Sequence, residues 1–349
     1  MRVLVIGGTK FLGYHLVREL LSQGHEVTLF NRGQTPDDFG SVVERIHGDR
    51  NEPHEFRTRL KGLEFEVVVD MIAYRGEDSR QAVNIFSGRV GHFIHISTAA
   101  VYIVTRDFPC PLRESDFDRA ILPQPVSHDG LWLYGTNKRD CELVLREAYE
   151  SRGFPVTIFR LPVVIGERDY TLRAYSYFLR LTDGGPLLLP DAGLNVSTHV
   201  YQGDVVKTVV GNLMNAKALG QAYNLAMEEI LSLRAFVQEA ARIIGKKAAL
   251  IDIPSRFLEE LPCGTSISPF SGRRPLVLAV DKARQDLNFR ATPLAVWLKK
   301  TIEWFFSEYN GPPPENYRWR SLELNLAQRF GETMEKLKQE ILSQEVKDG

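Results

Sequence analysis

The chain has 349 residues, with 43 Lys and Arg against 44 Asp and Glu, a formal net charge of −1. A balance so close to neutral supplies no global field to draw the protein onto nucleic acid or a membrane surface. Hydrophobic content of 44% and charged content of 25% are ordinary for a globular protein with a large core, and neither a membrane span nor a signal peptide is expected.

Arg2 to Ile6 is a short apolar run without polar alternation, the pattern of a parallel strand buried on both faces. Gly7, Gly8 and Gly13 punctuate the turn after it, and Tyr14 to Ser22 has helical periodicity, with Leu16, Leu20 and Leu21 on one side. Strand, glycine turn and helix together form a pyrophosphate-binding context: glycine lets the backbone turn tightly, and the helix N-terminus offers free N–H groups. Glu26 to Phe30 predicts the second strand, which ends in Asn31-Arg32-Gly33. An NAD-binding chain carries an acid about 20 residues beyond the glycines to bond the ribose 2′-hydroxyl. Here Arg32 stands at that strand end, suited to a 2′-phosphate, and Lys10 adds a second cation. Both point to NADP, with NAD as the alternative. Gly48-Asp49-Arg50 follows another short candidate strand, and Asp49 either faces the adenine or caps a turn.

Val67 to Asp70, Phe93 to Ile96, Val156 to Phe159 and Ala222 to Leu225 continue the alternation of apolar runs with helical segments. The pattern predicts an α/β fold: a Rossmann-type doubly wound parallel sheet with a smaller substrate-binding lobe. Asp70-Met71-Ile72-Ala73 would end the fourth strand at the carboxyl edge, where ligands bind in such sheets. Residues 1–165 and 199–226 are expected to make the dinucleotide-binding domain. Residues 166–198 and 227–320 would make the smaller lobe, where Gly and Pro cluster, and 321–349 a C-terminal helix beyond the stiff linker Gly311 to Pro314. The three cysteines, Cys110, Cys141 and Cys263, are widely spaced, with no CxxC pair and no metal spacing near the histidines. No metal site is expected, and a reducing cytoplasm is.

The fifth strand leads into Ser97-Thr98-Ala99-Ala100-Val101-Tyr102, and Tyr134-Gly135-Thr136-Asn137-Lys138 follows downstream. Tyr134 and Lys138 are four apart, so a helix sets both on one face. A YxxxK match alone is common, but a strand-end hydroxyl and a nucleotide-binding start make the combination specific. His128-Asp129 lies just before Tyr134 and reads as a loop pair rather than as catalytic.

These features resemble an extended or atypical short-chain dehydrogenase/reductase of the NAD-dependent epimerase/dehydratase family, over about residues 1–309. The form Gly-Gly-Thr-x-Phe-x-Gly with Asn-Arg-Gly after the second strand is similar to the subgroup containing the chloroplast stem-loop RNA-binding proteins. The resemblance implies that Tyr134 is the acid/base, Lys138 its cation and a ribose ligand, and Thr98 the holder of the reacting oxygen. A free tyrosine titrates near ~10, so at neutral pH its phenolate needs a neighbouring cation. The resemblance also implies dinucleotide contacts from Gly7, Thr9, Lys10, Phe11, Leu12 and Gly13 in the turn, and from Asn31, Arg32, Asp49 and Arg50 beyond the next strands. Met71, Ile72, Ala73, Lys138, Leu161, Pro162 and Val163 complete that set. A homodimer is the family expectation.

The departures narrow the reaction. Family dehydratases carry Thr-Asp-Glu where this chain has Thr98-Ala99-Ala100, so elimination lacks an evident acid/base pair and a dehydratase is disfavoured. Nucleotide-sugar epimerases place Asn and Arg where this chain has Val163 and Ser197, which weakens the case for a buried diphosphate. The leading expectation is an NAD(P)-dependent oxidoreductase or epimerase acting on a secondary alcohol or ketone of a sugar or specialised metabolite. The alternative is a non-catalytic nucleotide- or RNA-binding protein on the same scaffold, through a local patch such as Arg273-Arg274 or Lys299-Lys300; a sensor that binds NADP without turnover is a third. Near-neutral charge disfavours nucleic acid as a partner.

Overall fold

The structure is a computed structural model that describes residues 1–125, 130–272 and 274–345, with side chains of the last helix to residue 343. The apolar runs become strands Arg2–Ile6 (β1), Glu26–Asn31 (β2), Val43–His47 (β3), Phe65–Asp70 (β4), Val90–Thr98 (β5) and Val156–Leu161 (β6), joined by a seventh, Gln221–Asn224. All pair in parallel, in the order seventh strand, β6, β5, β4, β1, β2, β3. Val3 to Ile6 and Val67 to Val69 are fully buried, which is why these strands carry no polar alternation. The order reverses between β1 and β4, and this switch point is where open α/β sheets bind ligands.

Side chains alternate along β1 into two cores. Val3 and Val5 pack in a cluster with Leu16, Val17 and Leu20 of α1 (Phe11–Ser22), which lies beside helix Gln202–Gly211. Leu4 and Ile6 enter a second cluster with Phe56 of α2 (Pro53–Leu60), Phe86 of α3 (Gly76–Phe86) and Leu145 of α5 (Gly130–Arg152). A short helix, α4 (Ala100–Ile103), follows β5 directly. The sheet is therefore covered on both faces, as a doubly wound fold requires.

The chain divides into two compact units: residues 1–170, 198–229 and 276–294, and residues 171–197, 230–275 and 295–349. The sequence pattern predicts 276–294 as part of the smaller lobe. It belongs to the first unit because Leu278 bridges Leu112, the Asn224 side chain donates to the Ala279 carbonyl at 3.3 Å, and Asp204 accepts from both backbone and hydroxyl of Thr292. None of these pairings is local, so no periodicity announces them.

The second unit holds helices Arg173–Thr182 and Leu233–Ile244 and a parallel pair of short strands, Leu187–Pro190 and Leu250–Ile253. Its last helix, Arg320–Glu345, is part of that body rather than a separate tail. Glu323 is buried against Arg180 at 2.8 Å, and Ala327 packs with Leu188, Ile253 and Leu258. Farther along, Met334, Leu337 and Ile341 are exposed.

Candidate active site

β1 ends in a turn whose geometry only glycine adopts without strain: Gly7 has φ +105° and Gly8 +93°. Gly13 brings the first turn of α1 against Gly8, where an added Cβ would fall 2.7 Å from the Gly8 Cα. Thr9 and Lys10 lie in the turn between. Phe11 is buried and Leu12 packs on the core, so these two offer a ligand their backbone rather than their side chains. Lys10 occupies the N-cap of α1 with no side-chain cap hydrogen bond, and the first turn has no acid. A helix start left without a capping oxygen or a competing carboxylate suits an anion. The Lys10 ammonium lies 5.5 Å from the centre of the Tyr170 ring.

At the end of β2, Asn31 accepts from the Gly33 backbone at 2.8 Å, and its buried Nδ2 has no partner among the described residues. An orphan donor at this position fits a ribose hydroxyl. Arg32 is 58% exposed and reaches Asp49 at 3.8 Å. Asp49 also accepts from the backbone and side chain of Asn51, so it caps its own turn. Arg50 is turned inward: its guanidinium meets Asp70 at 2.8 Å, donates to the Asp78 carbonyl and lies 4.8 Å from the Phe56 ring centre. A side chain so enclosed ties the β3 and β4 ends together, which leaves the backbone of Arg50 to meet a ligand.

Met71 donates its backbone N–H to Ile6, and Ile72 donates to Asp70, which fixes the β4 end beside the glycine turn. Ala73 is fully buried, and its carbonyl accepts from Lys138 Nζ at 2.8 Å. Lys138 also donates to the Ile96 carbonyl at 2.7 Å and stands 3.4 Å from His95 Nε2. Burial lowers its pKa, opposed first by Cys141 and then by Asp70 and Glu142. The Tyr74 ring centre is 5.7 Å from Lys138 Nζ and 6.4 Å from the Tyr134 ring.

α5 carries Tyr134 and Lys138 on one face, Lys138 buried and Tyr134 37% exposed. Gly135 lets this helix press onto α4, since a Cβ there would sit 2.5 Å from the Ala100 oxygen. Thr98 ends β5 opposite Leu161 of β6, and its Oγ1 accepts from the Ala100 backbone at 3.2 Å. Pro162 separates β6 from the short strand Val163–Ile165, which pairs with His199–Tyr201. Beneath Thr98, Ser97 donates to Glu142, whose carboxylate is buried against Arg160 at 2.6 Å. Arg160 also donates to the Tyr102 hydroxyl, which donates to Asn224. His128 and Asp129 lie outside the described residues, as does Arg273.

Three residues of this neighbourhood were missed from the sequence. Gly135 had a signal, being a glycine inside a predicted helix; Tyr74 directly follows the Asp70-to-Ala73 segment; His95 had none, because a histidine within an apolar strand reads as core.

The parallel sheet with its strand order, and a helix carrying Tyr134 and Lys138 packed on it, are the fold of the short-chain dehydrogenase/reductase type. The chain belongs to the NAD dependent epimerase/dehydratase family, whose model matches residues 3–85 and 81–226. It is 27% identical over 258 residues to the Arabidopsis thaliana chloroplast stem-loop binding protein of 41 kDa b, a match covering 70% of this chain and 63% of that one. It is 25% identical to the UDP-N-acetyl-alpha-D-glucosaminuronate decarboxylase of Bacillus cytotoxicus, covering 87% and 97% of the two chains. Among solved structures, UDP-glucuronic acid 4-epimerase from Bacillus cereus in complex with NAD shares the fold, with a TM-score of 0.68, 19% identity and coverage of 89% and 99%. Among the described residues no helix is long and apolar enough to cross a membrane.

Proposed function

We propose that the protein is an NAD(P)-dependent reductase or epimerase that interconverts a secondary alcohol and a ketone, with Tyr134 as acid/base. The observation that carries this reading is Lys138, buried one helical turn from Tyr134 and held by the Ala73 and Ile96 carbonyls at the carboxyl edge of the sheet.

The glycine turn and the start of α1 would hold the pyrophosphate, Asn31 a ribose, and Arg32 with Lys10 a 2′-phosphate, which favours NADP over NAD. The dinucleotide, when bound, supplies the hydride acceptor or donor. Tyr134 exchanges a proton with the substrate oxygen, and the Lys138 ammonium lowers the cost of the phenolate. Thr98 accepts from Ala100, which leaves its own O–H to donate to the same oxygen. With Ala99 and Ala100 next to Thr98, no carboxylate stands there to eliminate water, so a dehydratase is not the favoured reaction.

Relatives named for UDP-sugars support a sugar or similarly hydroxylated substrate. Val163 and Ser197, in place of the epimerases' Asn and Arg, favour one without a diphosphate. Exposed Leu133 and Leu143 on α5 support a homodimer built on that helix. A cytoplasmic location accords with the unpaired thiols.

The test is Tyr134→Phe assayed with NADPH against a panel of ketones: turnover is lost while dinucleotide binding stays. Normal turnover in that variant rejects the mechanism. A second reading, RNA binding without turnover, is favoured by the stem-loop binding relative. It requires an affinity that falls steeply with salt.

A further inference from the structure

Lys138 has three ammonium protons and no lone pair. Two go to carbonyls, Ala73 at 2.8 Å and Ile96 at 2.7 Å. The next polar atom is His95 Nε2, at 3.4 Å. His95 is fully buried in the middle of the sheet, with Asp70 as its register partner on β4. Nothing in the expected reaction uses it.

We propose that His95 is a positioning residue for Lys138, accepting through Nε2 the ammonium proton that the two carbonyls leave. The inference rests on the pairing of Tyr134 with Lys138 set out above. A nitrogen facing a donor-only group has to present its lone pair, so the imidazole carries its proton on Nδ1. That Nδ1 has no partner among the described residues, so neither strand neighbour dictates the opposite tautomer. The charged groups around the ring are Lys138 from α5, Arg50 from the loop after β3 and Asp70 from β4; Glu142 and Cys141 act on Lys138 from one turn along α5. Burial, then Lys138 and Arg50, hold His95 well below the usual histidine range, which favours the neutral ring with its acceptor nitrogen. A neutral acceptor offsets part of the burial penalty on the ammonium. An apolar side chain at 95 would leave that penalty whole, weaken the charge opposite the phenolate and raise the pH at which Tyr134 ionises.

Two measurements on the full chain test this. The first uses ¹⁵N-labelled protein, with the His95 signal assigned by its loss in His95→Gln. The proposal requires Nδ1 protonated and Nε2 bare, unchanged from about pH 5.5 to 8.5. A proton on Nε2, or a ring that titrates in that range, overturns it. The second follows Tyr134 ionisation by ultraviolet difference absorbance, each protein against its own Tyr134→Phe counterpart. His95→Phe should move the ionisation up by roughly one pH unit, and His95→Gln, which keeps an acceptor near the Nε2 position, should restore it. If Lys138→Met shifts the ionisation and His95→Phe does not, His95 is merely structural and the proposal fails. If Lys138→Met itself shifts nothing, the Tyr134–Lys138 pairing fails and takes the proposal with it, whatever tautomer is found. Should His95→Phe not fold, the tautomer of the unaltered protein decides.

Discussion

Gly135 lies against the carbonyl of Ala100 so closely that a Cβ would come within 2.5 Å of the oxygen and 2.8 Å of Val104 Cγ1. The contact joins the helix carrying Tyr134 and Lys138 to the turn that follows Thr98. It thereby sets the distance between the two halves of the proposed reaction centre.

Gly135→Ala brings two effects into competition. Alanine favours a helix interior by about 1 kcal/mol, whereas a backbone clash of this kind costs about 1–3 kcal/mol. A backbone oxygen cannot swing aside as a flexible side chain does, so the clash wins. The variant is expected to lose up to about 2 kcal/mol in urea unfolding, with turnover falling further than dinucleotide affinity. An unchanged or raised unfolding midpoint would show that α5 has room to move.

Arg32 and Asp49 make a prediction about coenzyme choice. The guanidinium is exposed and its carboxylate partner is at 3.8 Å, a geometry worth little to stability. Arg32→Ala should therefore leave the fold untouched and weaken NADPH binding about tenfold, sparing NADH. Asp49→Asn removes a negative charge next to the expected 2′-phosphate and should strengthen NADPH. Equal losses for both coenzymes in Arg32→Ala would remove the argument for NADP.

The Glu142–Arg160 pair is buried at 2.6 Å beneath Thr98. Glu142→Ala strands a guanidinium whose remaining partners are the Tyr102 hydroxyl and the Glu114 carbonyl. The expected loss is about 3–5 kcal/mol, read by thermal or urea unfolding. A loss under about 1 kcal/mol would mean that water reaches the arginine.

His92 predicts acid sensitivity. It accepts from the Met214 backbone at Nδ1, and its Nε2 lies 2.8 Å from Thr157 Oγ1, which itself donates to the Ala218 carbonyl. The neutral ring is thus fully used, and burial pushes its pKa down to about 4. With the folded value below the unfolded one, near ~6.5, the unfolded state binds more protons between them. His92 should therefore contribute stability above ~6.5 that is lost as pH falls toward about 4, on the order of 3 kcal/mol. Urea midpoints measured across that range should fall, and His92→Gln should flatten part of the fall. An equally steep fall in the variant would assign the acid sensitivity to other groups.

The strands were legible because a doubly covered parallel sheet needs apolar runs, as Val3 to Ile6 of β1 and Val67 to Val69 of β4 supply. The Tyr–Lys pair was legible because helical spacing puts residues four apart on one face. What stayed hidden depends on partners distant in sequence. Arg50 reads as a loop cation beside Asp49, yet Asp70 and the Asp78 carbonyl take it inside. Residues 276–294 read as lobe because their ties, Leu278 to Leu112 and Thr292 to Asp204, link segments far apart along the chain. His95 resembles any core residue until α5 brings Lys138 to within 3.4 Å of it.

The most direct test of the account is fluorescence titration of the purified protein with NADPH and with NADH, since it needs no knowledge of the substrate. The glycine turn, Asn31 and Arg32 predict saturable binding of NADPH and weaker binding of NADH. Saturation by neither would contradict the claim that this fold holds a dinucleotide in this protein, and with it the role of Tyr134 and Lys138.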